Sequence, residues 1–68
     1  MDNETLNLSI RKFLTMVGVN SQREIEQAVA KAVAAGAIAG TETLAATMTL
    51  EIPALQLTVR FDGEIHLN

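Results

Sequence analysis

The sequence predicts a single α+β domain over residues 1–68, with two N-terminal helices packed on one face of a three-stranded antiparallel meander in the order ααβββ. Three observations lead there. Apolar residues recur at three- and four-residue spacing as far as Gly36, the spacing changes to two at Thr43, and turn signals at Pro53–Ala54 and Asp62–Gly63 divide the second half into three short runs.

The first helix is expected over residues 3–16, where Leu6, Ile10, Phe13, Leu14 and Val17 fall on one face and Asp2 or Asn3 stands ready as N-cap. Gly18 would end it. In "SQRE", Ser21 precedes Glu24 by three residues, the spacing of a capping box in which each side chain satisfies the other residue's free backbone N–H. A second helix then carries Ile25, Ala28, Val29, Ala32, Val33 and Gly36 on its apolar stripe. Residues 37–40 fit a frayed last turn and a short extended piece equally well.

Leu44, Ala46, Met48, Leu50 and Ile52 alternate with Thr43, Ala45, Thr47, Thr49 and Glu51, the period of a half-buried strand. A loop centred on Pro53–Ala54 would set Leu50 opposite Leu57 and Met48 opposite Val59. Proline's fixed φ rules out a tight I′ turn at its own position, so a wider loop closed by Glu51 and Gln56 is expected. At "RFDGEIHLN" a three-residue loop with Gly63 in a G1 bulge would place Val59 opposite Ile65 and Leu57 opposite Leu67, turning all three apolar faces the same way.

Composition narrows the functional classes. A chain of 68 residues, 49% hydrophobic and 19% charged, has the make-up of a small folding domain, and without cysteine it has neither disulfides nor thiolate-bound zinc to support it. Good packing or self-association must do so. The N-terminus is acidic and lacks a secretory pattern, which leads to the expectation of a cytoplasmic protein. The apolar stretch from Ala28 to Gly40 is too short to cross a membrane, so no membrane partner is expected.

"VGVNSQREIEQAV" invites a helix-turn-helix reading. Gln22, Arg23, Glu26 and Gln27 would then face base edges at the start of the second helix, with Arg11 and Lys12 on phosphates. Against it stand Asn20, inserted between the turn and the expected start of the recognition helix, and Leu14, where a small residue would let the helices approach. The net charge of −3 also repels phosphate. DNA binding through Arg11, Lys12, Gln22, Arg23 and Gln27 is therefore the second-ranked reading.

Catalysis finds no support. His66 has no Ser, Asp or Cys constellation at a useful spacing, Glu24 and Glu26 point apart on a helix, and Gly36 and Gly40 follow a helix rather than precede one. The sequence thus predicts no enzyme, no cofactor and no metal site. It favours a protein-interaction module whose partner is another protein or a second copy of itself in a homodimer, because a small sheet with open edges is often completed by another chain.

The runs "SIRKFLTMVGVNSQREIEQAV", "GTETLAATMTL" and "FDGEIHLN" resemble a family of short uncharacterised bacterial proteins, a domain of unknown function. The resemblance covers nearly the whole chain. It implies a stand-alone bacterial cytoplasmic protein and supplies no catalytic or ligand-binding residues.

Overall fold

A computed structural model describes residues 1–68 in two compact units, Met1–Ala35 and Gly36–Asn68. The first is one helix, α1, Asn3–Ala34; the second holds two strands, β1, Thr43–Ile52, and β2, Leu57–His66, joined by the short 3₁₀ turn Pro53–Leu55. The class is α+β, but the two helices and three strands expected from the sequence are replaced by one helix and two strands. No residue is buried in either unit.

Of the two expected caps, Asp2 is the one that serves α1, and Asn3 is its first residue. Asp2 Oδ1 accepts from the backbone N–H of Glu4 at 3.0 Å and of Thr5 at 3.4 Å, and its Oδ2 accepts from Thr5 Oγ1 at 2.8 Å, satisfying donors that the first turn leaves free. The helix then runs through Gly18 without a break. A lone glycine costs a helix only about 1 kcal/mol relative to alanine, and no proline enforces a stop. The apolar stripe also stays in phase across it: Leu14 to Ile25 and Val17 to Ala28 are each three turns at eleven residues. Ser21 therefore caps nothing, while Asn20 Nδ2 donates to the Met16 carbonyl at 2.8 Å within the helix.

Gly36, at φ 72°, follows the Ala35 cap and ends the helix in the left-handed conformation that glycine adopts without strain. Residues 37–40 are neither helical nor extended strand; they form a bend. The Glu42 carboxylate folds back over this loop and accepts the backbone N–H groups of Ala39 (2.8 Å), Gly40 (2.8 Å) and Thr41 (3.0 Å).

β1 spans the residues that the alternation predicts. Its register with β2 differs: Ile52 pairs with Leu57, Leu50 with Val59 and Met48 with Phe61. The turn occupies four residues because Pro53–Leu55 winds into a 3₁₀ turn and Gln56, at φ 52°, must reverse the chain, its N–H reaching the Pro53 carbonyl at 3.0 Å. A shift of two residues preserves which face each side chain occupies, so the apolar face survives the change of partners. Asp62–Gly63 makes no turn. Gly63 keeps a strand conformation opposite Ala46, and β2 continues through it to His66, so the expected G1 bulge and third strand are absent.

Candidate protein-interaction surface

The hairpin separates its side chains by chemistry. On one face the cross-strand pairs are Leu44–Ile65, Ala46–Gly63, Met48–Phe61, Leu50–Val59 and Ile52–Leu57, and on the other Thr43–His66, Ala45–Glu64, Thr47–Asp62, Thr49–Arg60 and Glu51–Thr58. Leu67, whose backbone N–H reaches the Glu42 carbonyl at 3.0 Å, extends the apolar face by one more position.

The polar face is occupied with itself. Asp62 Oδ1 accepts from Thr47 Oγ1 at 3.1 Å and pairs with Arg60 Nε at 2.9 Å, and Thr43 Oγ1 lies 3.0 Å from His66 Nδ1. These exposed contacts contribute little individually. They do leave that face finished in water, whereas the apolar face has no such closure.

On the apolar face Leu44, Leu50, Val59, Ile65 and Leu67 are half-buried by their neighbours, while Met48 and Phe61 protrude, 46% and 56% exposed. Beside that protruding pair lies a notch. A Cβ added to Gly63 would meet nothing within 4 Å, and its partner Ala46 carries only a methyl group. The helix is likewise uncovered, with Leu6, Ile10, Phe13, Leu14 and Ile25 exposed along its main stripe and Leu8, Met16 and Val19 exposed elsewhere on its circumference.

The residues considered for DNA contact all lie on α1. Helical geometry places Arg11 nearly over Gln22 and Lys12 nearly over Arg23, each pair about 16 Å apart along the axis, so the three cations form no common patch. Gln22, Arg23 and Gln27, with Val19 and Glu26, border a shallow depression that is a gap between side chains of one helix. The bihelical turn on which a recognition helix depends is not formed.

No group of acidic, histidine or cysteine side chains is arranged to hold a metal ion, and no helix is long and apolar enough to cross a membrane. Glu42 is the most organised polar group. The Ala39 N–H, together with those of Glu42 itself, Gly40 and Thr41, holds its carboxyl below the ordinary glutamate range against a smaller opposing effect of desolvation. All those partners belong to its own loop, so the group shapes the connection.

Neither the sequence reading of a G1 bulge nor that of a three-stranded sheet could have revealed the notch. Its signal was available as parity, since Gly63 shares the face of Phe61 and Ile65 whenever the strand continues.

Comparison with known proteins gives one assignment. Residues 1–68 match the family model described as a family of unknown function (DUF6494), and the chain belongs to that family. No curated protein and no solved structure matches it.

Proposed function

We propose that this member of a family of unknown function is a small non-enzymatic protein-interaction module, whose apolar hairpin face is covered by protein when it works. One observation carries the reading: five successive cross-strand pairs present apolar or side-chain-free positions on one face, and none of those residues is buried. An isolated two-stranded hairpin is marginal in water, and a helix draws most of its stability from packing an amphipathic face, so both units gain from a covering chain. We place the module in the bacterial cytoplasm, as the family resemblance implies.

Sedimentation velocity from about 1 to 500 µM, combined with binding of a hydrophobic dye and amide exchange of the strands, tests the reading. Assembly beyond 7.3 kDa, or a monomer that binds dye and exchanges its strand amides freely, leaves the face in need of a protein cover. A strict monomer that binds no dye and protects its strand amides would overturn the proposal, because the face would then be closed within the chain.

A further inference from the structure

We infer that α1 carries a second interaction surface, residues 5–23, and that its partner is an acidic protein with an apolar groove that encloses this stretch of helix. The surface is separate from the hairpin face, and the two readings stand or fall apart.

Charge selects the sign of the partner. Residues 5–23 hold Arg11, Lys12 and Arg23 and no acidic residue, although the chain as a whole carries −3. All eight acids lie outside this stretch, with only Lys31 and Arg60 to offset them. None of the three cations has an ion-pair partner, since the one salt bridge joins Arg60 to Asp62. An acidic rim meets that charge, whereas the same stretch of a second copy repels it.

Shape selects a groove. Leu6, Ile10, Phe13, Leu14 and Val17 follow one side of the helix. Leu8 stands two residues beyond Leu6, and Val19 two beyond Val17, which carries both about half a turn round to the opposite side. Met16 lies between the two sides. Leu8, Met16 and Val19 are 55%, 50% and 54% exposed, as open to water as the main stripe. A flat lipid surface covers one side of a helix and would leave these three wet, and a duplex backbone offers none of them an apolar contact. A helix that is apolar on opposite sides is suited to being enclosed.

The cations are spread in the same way. Arg11 falls between Leu14 and Leu8 on the helix surface, while Lys12 and Arg23 fall beside Val19, so meeting all three takes acids on more than one wall. Capture of a basic, apolar helix in an apolar groove is a recurrent mode of recognition.

Calcium-loaded calmodulin serves as the probe, because it presents an acidic, methionine-lined groove that closes when calcium is removed. In the labelled chain, amide shifts on adding it should fall within residues 5–23. Affinity should drop at least tenfold as sodium chloride rises from about 50 to about 500 mM. Lys12→Glu should weaken binding at least tenfold at low salt. Leu8→Gln combined with Val19→Gln should do the same, while far-ultraviolet circular dichroism reports an intact helix, since glutamine is a good helix former.

No binding, equal binding to the calcium-free form, or binding indifferent to the Leu8 and Val19 changes overturns the enclosing groove. Vesicles of phosphatidylserine and phosphatidylcholine that take up the chain when calmodulin does not would make the partner a lipid surface. Concentration-dependent shifts of the same stretch in the chain alone would make it a second copy. The hairpin keeps its own test, protection of the strand amides from exchange, so failure of the groove leaves the hairpin reading where it stood.

Discussion

At the scale of the residue, Glu42 does the most for its surroundings. Three backbone donors converge on its two carboxylate oxygens, an arrangement that an amide side chain with a single acceptor oxygen cannot reproduce. Because those donors lower its pKa in the folded chain, its contribution to loop order is present above the unfolded value near 4.3 and is lost as pH falls through the lower folded value. Asp2, held below the ordinary aspartate range first by the Thr5 hydroxyl and then by the backbone N–H groups of Glu4 and Thr5, titrates with the same sign. The amides of Ala39, Gly40 and Thr41 should thus lose their hydrogen-bonded shifts in acid, and Glu42→Gln should reproduce that loss at pH 7. Unchanged amide shifts in the variant would show that the loop holds its shape without the carboxylate. Asp2 was legible in the sequence, since an aspartate just ahead of a helical period has a known capping role. Glu42 was not, because a glutamate folding back on its own loop leaves no recurrent spacing.

At the scale of the element, the sequence was read correctly where period decided and wrongly where the end signals at Gly18–Ser21 and at Asp62–Gly63 were set above it. The alternation from Thr43 to Ile52 yields β1 as observed. Gly18 with the Ser21–Glu24 spacing, and Asp62–Gly63 with its turn propensity, each describe what a chain end would look like if an end occurred there. In both places the longer pattern continues: the helical stripe remains in phase through Gly18, and β2 keeps its alternation through Gly63. Register was mistaken for a separate reason, since the left-handed Gln56 extends the turn to four residues and nothing in that residue type announces it. Gly18→Ala tests the helix by sign. Inside a continuous helix, with nothing within 4 Å of the new Cβ, alanine should stabilise by about 1 kcal/mol and raise both helicity and the thermal midpoint. At a left-handed helix end the same change would destabilise, so a fall in stability would restore the two-helix reading.

At the scale of the whole molecule, the proposed interaction reading is tested by concentration, since a cover supplied by a second copy would make stability depend on it. If folding and dimerisation are one transition, raising chain concentration a hundredfold adds about 2.7 kcal/mol to the free energy of dissociating and unfolding the dimer. With urea slopes of ~1–3 kcal/mol/M, the midpoint should rise by on the order of 1–2 M between 5 and 500 µM. A midpoint independent of concentration would place the folded state in the single chain. Charge gives an independent check. Each copy carries −3, so two copies repel one another over distances that salt screens, and added salt should tighten a dimer joined by the apolar hairpin face. Binding to a nucleic-acid backbone has the opposite dependence, because counterions released from phosphate make affinity fall as salt rises. Titrating sodium chloride from 50 to 500 mM against the dimer dissociation constant, with a duplex-binding titration alongside, assigns each association its physical origin. A dimer that loosens with salt would be held by ion pairs, and the apolar hairpin face would no longer be the surface that holds it.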